Sequence, residues 1–436
     1  MYIESVDIQN IRVLKSCKLT FAEPAGWHVI IGDNGTGKST LMRAISLGLI
    51  GPAEAKALRS DFSGWLRKDS ETAEINLTLS RDQTFDGYAG KKRPLKRPFE
   101  AKLKFIRQSL STAFNYVEVV ANNEDAISPA NYIWSSKRGW FSAGFGPFRR
   151  LHGGDTSLSK IYSSSPKAAA HFSLFNEDLA LTEALSWLKE NDYRWLKLNE
   201  ESEVTRPGDS DLVAKLKLLI NSQGLLPHGA QFLRMGTDGP VFQDANGERV
   251  DVVQMSDGFR AILSVAFELI RQLVEIYGLD EAFQGFDSDN IRITVPGVVL
   301  IDEVDIHLHP TWQEDIGSWF TTHFPNIQFI VTTHSPLVCR AAGKGSIHRL
   351  ARPGSDENTE EIIGIERDRL IYGNILDAYA TDAFGEDVTQ SAASQEKLEK
   401  LIQMNRLYAY GKLPKAQEEE MYRLRKIFTT DDTFEL

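Results

Sequence analysis

Gly32-Asp33-Asn34-Gly35-Thr36-Gly37-Lys38-Ser39 is the stretch that decides the fold. Glycines at 32, 35 and 37 let the backbone curl until its N–H groups point inward, a cradle for α- and β-phosphate oxygens. Lys38 then brings an ammonium between the β- and γ-phosphates, and Ser39 offers a hydroxyl to Mg2+. The flanks fit this reading. Trp27–Ile31 is a short apolar strand running into the loop, and Ser39–Leu49 reads as a helix with Leu41, Ile45, Leu47 and Leu49 apolar. The helix adds the positive end of its dipole. With Asp33, Asn34, Thr36 and Thr40, these residues form the candidate ATP-binding set.

A phosphate loop needs an acidic partner. Val298-Val299-Leu300-Ile301-Asp302-Glu303 supplies one far downstream. Val298–Ile301 is continuously apolar, as in a buried parallel strand. Asp302 stands at its carboxyl end, where α/β sheets place ligand groups. It is the candidate Mg2+ ligand beside Ser39, directly or through water. Glu303 is the candidate that orients and polarises the attacking water, a contribution typically on the order of 10²–10⁴-fold. His334, in Val331-Thr332-Thr333-His334-Ser335, follows a second apolar strand, Ile327–Thr332. Alone it reads as a structural or surface histidine; beside the other segments it is a candidate γ-phosphate sensor.

Ser256-Asp257-Gly258, within Met255–Phe259, opens a long helix reaching Tyr277. Read alone, Ser256 is an ordinary helix cap. Just ahead of the acidic strand, that helix N-terminus is a candidate γ-phosphate clamp. It cannot easily reach phosphates held by Lys38 of its own chain. His307 and His309 invite a metal reading. Two ligands without a cysteine or a third histidine nearby in sequence do not make a zinc site, so they are read as part of the loop after the acidic strand.

The bulk properties narrow the class. A chain of 436 residues with 42% hydrophobic and 25% charged composition can bury a large core and hold several subdomains. No run of about 18 apolar residues is present; the most apolar helix, Ala261–Tyr277, is interrupted by Glu268, Arg271 and Glu275, so no membrane span is expected. The start reads as a strand containing Glu4 and Asp7 rather than a signal peptide. The 2 cysteines, Cys17 and Cys339, exclude a disulfide framework and suit a cytoplasmic location. Net charge is −11, so the chain as a whole is no obvious nucleic-acid binder. Local basicity stands out only in Lys91, Lys92, Arg93, Lys96, Arg97, Lys102, Lys104 and Arg107. A charged strand edge and a phosphate-backbone contact both fit that run.

Strands are expected over Met1–Leu19, with a bend at Asn10-Ile11-Arg12, and over Glu74–Leu79, Ala101–Ile106 and Tyr116–Ala121. Ser142–Arg150 is read as a glycine-rich segment. Amphipathic helices are expected over Asn176–Asn191, with Leu181, Leu185 and Leu188 on one stripe, and over Asp211–Ile220. Asp238-Gly239 and Asn246-Gly247 favour tight hairpin turns. From near Thr389 the tail reads as a helical hairpin. Leu398, Leu401, Ile402 and Tyr408 share a face, and Gly411 and Pro414 break the chain before Ala416–Phe428. It either packs on its own domain or docks a partner.

The ordered set Gly32–Ser39, Met255–Phe259, Val298–Pro310 and His334 resembles the ABC-type ATPase head of the SMC and RecF-like families, over roughly residues 1 to 345. The resemblance implies two heads sandwiching two ATP molecules, with Ser256, Asp257, Gly258 and Asp305 presented to the partner head. Arg12 resembles an arginine near the nucleotide in related heads; a simple surface arginine is the other reading. Leu300–Pro310 with Trp312-Gln313, Ser256–Arg260 and Gly144–Arg150 further resemble a bacterial subgroup. It includes the ATPase subunits of Septu and certain retron anti-phage systems, in which the ATPase associates with a separate HNH-type nuclease. Asp257 stands where many members have glycine, and Phe259 where many transporters have glutamine. The glutamine that usually couples the Mg2+ site to the lobe between the halves is unassigned, and Gly144–Arg150 is a candidate for a related role.

The expected fold is therefore α/β, a P-loop NTPase of ABC/SMC-head type with a mixed sheet, an inserted helical subdomain and a C-terminal helical hairpin. Residues 1–150 and 230–385 would form a discontinuous head, 151–229 a mainly helical insertion, and 386–436 the hairpin. The expected activity is ATP hydrolysis with Mg2+, without intrinsic nuclease activity. The tail lacks both a two-metal carboxylate set and the spacing of an HNH fold. The expected partners are a second copy and an HNH-type nuclease. A RecF-like DNA-repair ATPase, with DNA as partner, is the alternative; a transporter motor fits poorly.

Overall fold

Alternation sets the first sheet. Ile3, Val6, Ile8 and Ile11 are the buried positions of β1 (Tyr2–Ile11), which folds back onto β2 (Leu14–Thr20). The expected bend is made by left-handed backbone at Asn10 (φ 58°) and Arg12 (φ 49°). After β3 (Gly26–Ile31), which runs into the phosphate loop, come β4 (Thr72–Ser80), β5 (Phe99–Ser111) and β6 (Phe114–Ala121). Together with the first two they form an antiparallel sheet in the order β2-β1-β4-β5-β6.

A second sheet carries the chemistry. It is built from β3, β7 (Ser142–Phe145), β11 (Gly297–Ile301), β12 (Ile327–Thr332), β13 (Ile347–Arg349) and β14 (Glu360–Glu361), in the order β14-β13-β3-β12-β11-β7. All its pairings are parallel except that of β14. Every residue of β3, β11 and β12 is buried, which is why these strands read as largely apolar runs, with His28, Gln328 and Thr332 the polar exceptions. A small antiparallel sheet holds β8 (Gln231–Met235), β9 (Pro240–Gln243) and β10 (Arg249–Asp251). Its turns fall at the expected dipeptides, with Gly239 (φ 132°) and Gly247 (φ 85°) taking the left-handed positions.

The strand β7 departs from the sequence reading. Ser142–Phe145 lies in what reads as a glycine-rich segment with no strand assigned, yet it pairs along β11 from Val298 to Ile301. Its glycines answer to packing. A Cβ on Gly144 would lie 2.4 Å from Leu174 Cδ1, and one on Gly146 would lie 2.1 Å from the Ser173 carbonyl oxygen. Close approach of the following segment, rather than a turn, requires them.

The phosphate-loop helix, Lys38–Leu58, packs against both large sheets and is buried on nearly every side. It runs on past Leu49 through a kink at Gly51 (φ 84°), where the Trp134 ring occupies the space of a Cβ, and Pro52. Gln328 of β12 ties the sheets together: its amide accepts from Ile3 N (2.7 Å) and donates to Ile3 O (2.9 Å) at the bulge in β1. The long helix Asp257–Tyr277 carries a buried ion pair between Glu268 and Arg271. Removing one partner of such a pair costs about 3–5 kcal/mol, because the other charge stays buried.

The structure describes residues 1–88, 97–111, 114–122, 128–135, 139–149, 165–176, 182–201, 212–355, 357–374, 392–409 and 413–428 of this computed structural model. Lys91, Lys92, Arg93, Lys96, Arg150, Leu181, Asp211, Thr389 and Gly411 lie outside the described residues. Within the expected insertion, the described helices are Pro166–His171, Thr182–Glu201 and Leu212–Ile220. The first packs on the phosphate-loop helix and β7; the second packs on Asp257–Tyr277 and buries Leu185 and Leu188.

The chain divides into two compact units, Met1–Gly373 and Asn374–Leu436. In the second, helices Ala392–Ala409 and Lys415–Phe428 form a hairpin around Leu401, Met404, Leu413, Met421 and Leu424. Ile402 and Tyr408, expected on the apolar face with Leu401, are half exposed; Met404, three residues after Leu401, takes the inner position. Among the described residues, no helix is long and apolar enough to cross a membrane.

Candidate nucleotide site

The loop between β3 and its helix has the backbone its sequence requires. Gly32 (φ 154°), Gly35 (φ 82°) and Gly37 (φ 100°) are all in conformations that side-chain-bearing residues rarely adopt. Gly37 is doubly constrained, since a Cβ there would lie 2.6 Å from Val13 Cγ1; around Gly35 the space is open. Lys38 Nζ donates to the carbonyls of Gly32 (2.7 Å) and Asp33 (3.1 Å), and Thr36 Oγ1 donates to Asp33 O (2.9 Å). Asp33, Asn34 and Gly35 are exposed, Ser39 is half-buried, and Thr40 is buried.

The acidic turn faces the same loop from the ends of β11 and β12. Asp302 is fully buried. Its Oδ1 accepts from Thr332 Oγ1 at 2.6 Å, and that hydroxyl accepts from Glu303 N at 2.7 Å. Its Oδ2 is buried without a hydrogen-bond partner. Glu303 is in left-handed backbone, φ 48°. Asp305 is turned towards its own chain's histidine loop: Oδ1 accepts from Thr333 Oγ1 (2.6 Å) and Oδ2 from His334 N (3.4 Å). The His334 side chain is exposed.

These groups act on one another's charge. Burial lowers the Lys38 pKa, opposed by the carboxylates of Glu303, Asp302, Asp33 and Asp305. Burial raises that of Glu303, reinforced by Asp302 and Asp305 and opposed by Lys38 and Arg149. Burial lowers that of His334, with Lys38 acting in the same direction. A buried carboxylate oxygen without a partner, a half-buried serine hydroxyl and an open glycine loop fit a phosphate-bound divalent cation held by Ser39 and Asp302.

The other site residues lie around this centre. Ser256 and Asp257 are exposed at the start of their helix, and Ser256 makes no side-chain cap bond. Asp257 pairs with Arg260. Gly258 is buried against the loop after the acidic turn, where a Cβ would lie 2.5 Å from His307 O, and Phe259 packs edge-on against Trp312. Arg12 sits in the β1–β2 turn with its guanidinium 5.5 Å from the Trp65 ring centre, next to the Val13 that packs on Gly37. His309 caps the helix Pro310–His323 by accepting from Thr311 N. Of the basic run, Lys102 pairs with Glu100 (2.6 Å), Lys104 with Glu74 (3.6 Å), and Arg107 donates to Ser70 O.

Three residues near the centre escape the sequence reading. Thr332 and Thr333 lie inside a quoted segment, but only the fold shows them holding Asp302, Glu303 and Asp305. Arg149 lies in Gly144–Arg150, the segment offered for a role related to the coupling glutamine, but its contact with the acidic turn is visible only in the fold. It is buried, and its guanidinium donates to the carbonyls of Asp302 (3.3 Å) and Glu303. Burial lowers its pKa to about 10, against the pull of the three nearby carboxylates. The one sequence signal is the close spacing of Gly144, Gly146 and Pro147 ahead of two arginines.

A phosphate loop feeding a buried helix, with an acidic turn on the neighbouring strands, defines a P-loop nucleoside-triphosphatase domain of α/β class. The chain belongs to the family described as "AAA domain, putative AbiEii toxin, Type IV TA system", whose model matches residues 28–340. It is similar to the Septu protein PtuA of Bacillus mycoides, 25% identical over 79% of this chain and 40% of that protein. It is also similar to the Retron Ec83 probable ATPase of Escherichia coli, 24% identical over 79% of this chain and 70% of that one. The chain thus spans well under half of the first relative and about two thirds of the second. A shorter stretch is 31% identical to the DNA double-strand break repair Rad50 ATPase of Methanosarcina acetivorans, over 32% of this chain and 12% of that protein. Among solved structures, an SMC head bound to the C-terminal winged-helix domain of ScpA matches with a TM-score of 0.45 and 17% identity, over 84% of this chain and 99% of that one.

Proposed function

We propose that this chain binds and hydrolyses MgATP, pairs with a second copy around the nucleotide, and through that pairing controls a separate nuclease in bacterial anti-phage defence. The observation that carries the reading is the meeting of Lys38, Asp302, Glu303, Asp305 and His334 at one glycine loop. Similarity to Septu and retron ATPases supports the defence role.

In this reading the loop N–H groups, Lys38, Thr36 and Thr40 bind the phosphates, with Asp33, Asn34 and Arg12 at the rim. Ser39 and Asp302 would hold Mg2+, which when bound neutralises charge across the β- and γ-phosphate oxygens. Glu303 orients the water that attacks the γ-phosphorus as the bond to the β-bridging oxygen breaks, giving ADP and inorganic phosphate. His334, held through Asp305, contacts the γ-phosphate. Ser256 and Gly258 of the second copy close the site from the other side. The exposure of Ser256 at its helix start, with no side-chain cap bond to occupy it, supports a role in the opposite head.

The direct test is capture of Glu303→Gln from its native host in ATP and Mg2+, followed by mass spectrometry. A stoichiometric small protein with a nuclease motif supports the proposal. Recovery of the chain with DNA or recombination proteins alone would instead favour a RecF-like repair ATPase, the reading to which the Rad50 likeness points. In that case duplex binding would need ATP and weaken steeply with salt.

A further inference from the structure

We propose that Arg149 is a positioning residue for the hydrolytic turn: its buried guanidinium holds the carbonyls of Asp302 and Glu303, fixing Glu303 in its left-handed conformation. The inference rests on the ATPase reading for its consequence, though its geometry stands independently.

The backbone of Glu303 is where the need arises. A non-glycine residue at φ 48° is strained and persists only when its surroundings over-determine it. Two anchors do so. Thr332 Oγ1 accepts from the Glu303 N–H on one side of the residue, and Arg149 donates to the Glu303 carbonyl on the other. The same nitrogen, Arg149 Nη2, also donates to Asp302 O, so one donor group bridges successive carbonyls of the turn. A charge is buried for this purpose: Arg149 is only 5% exposed and its Nε has no partner. Burying a guanidinium is costly, and neighbouring carboxylates offset that cost.

The end of β7, three residues before Arg149, is held by residues 173–174. Gly146 N donates to Ser173 Oγ (3.1 Å), and Ser173 Oγ donates to Gly144 O (2.8 Å). Arg43 of the phosphate-loop helix donates to Leu174 O (2.6 Å). A continuous path thus joins the phosphate-loop helix, residues 173–174, the end of β7, Arg149 and the turn bearing Glu303. Arg149 touches the turn's backbone rather than any phosphate-binding group of the loop, so its removal should affect turnover more than nucleotide affinity.

The test compares Arg149→Met and Arg149→Lys with the parent chain. MgATP affinity, kcat and KM are measured, together with amide hydrogen exchange resolved to residues 302–308. For Arg149→Met the expected result is ATP affinity within about threefold, kcat lowered at least about tenfold, and exchange at 303–308 accelerated at least about tenfold with the remaining core unchanged. Arg149→Lys, which keeps the charge and donor protons on a shorter side chain, should recover part of both losses. Unaltered local exchange in the methionine variant overturns the proposal whatever the ATPase result. So does faster exchange spread evenly over the whole unit. If the parent chain hydrolyses no ATP, the ATPase reading fails, and the exchange experiment still decides the role of Arg149.

Discussion

Burial acts in opposite directions on Lys38 and Glu303, lowering the pKa of the first and raising that of the second. Each carries the opposite charge to the other, so a phosphate entering beside Lys38 meets a carboxylate already poised nearby. Lys38→Ala should weaken ATP binding by at least about 10²-fold, because it removes the charge-assisted contact to the phosphates; titration with a fluorescent ATP analogue checks this. Glu303→Gln keeps shape and loses the anion, so ATP should still bind while kcat falls by about 10²–10⁴-fold. Turnover at the parent rate in that variant would remove Glu303 from its assigned place. Which residues are legible in the sequence follows contiguity. Gly32–Ser39 and Asp302-Glu303 can be read because each puts its chemistry on neighbouring residues with a fixed local conformation. The contact of Arg149 cannot, since its partners lie 153 and 154 residues away and the local glycine-rich pattern does not name them. The family resemblance turns Asp305 towards a partner head; its observed bonds are to Thr333 and His334 of its own chain.

At the level of elements, the helix Asp257–Tyr277, whose start is the proposed clamp, lies against the loop after the acidic turn. Its buried Gly258 packs so closely on the His307 carbonyl that a Cβ there would lie 2.5 Å from the oxygen. Its exposed Ser256 and Asp257 can face another molecule. Ser256→Arg adds bulk and charge only on that outward side. Single-head ATP binding should change by less than about twofold, while head pairing and ATPase activity fall at least about tenfold. Full activity in this variant would argue against action in trans. The long apolar helix and the short, nearly continuous apolar runs of β3, β11 and β12 are legible in advance. The strand β7 is hidden because Gly144 serves packing against Leu174, and glycine lowers the strand signal. The face of Ala392–Ala409 differs from its sequence reading at Ile402 and Tyr408, where the short hairpin leaves both side chains half exposed.

The whole molecule adds a pH dependence that does not involve the nucleotide site. His28 and His348 are buried on either side of Ser346, each 2.8 Å from its hydroxyl, and His171 is buried beside Ser142. Burial lowers their pKa values to about 4, about 4 and about 3. The folded values lie below the unfolded value of about 6.5, so between them the unfolded chain binds more protons. The stability these histidines contribute is therefore present above about pH 6.5 and is lost as pH falls towards about 4. Within that window each independent histidine removes at most about 1.4 kcal/mol for every pH unit. A thermal melt series should show Tm level near neutrality and falling through that window. A Tm that holds or rises from about pH 6.5 to about pH 4.5 would contradict it.

Whether ATP joins two of these heads is decided most directly by the solution mass of Glu303→Gln, taken by light scattering after size exclusion with and without saturating MgATP. The 48.9 kDa chain is expected without nucleotide, and roughly twice that mass with it. Adding Ser256→Arg should abolish the increase. A Glu303→Gln chain that binds ATP yet keeps the same mass in both conditions would show that the nucleotide does not pair the heads.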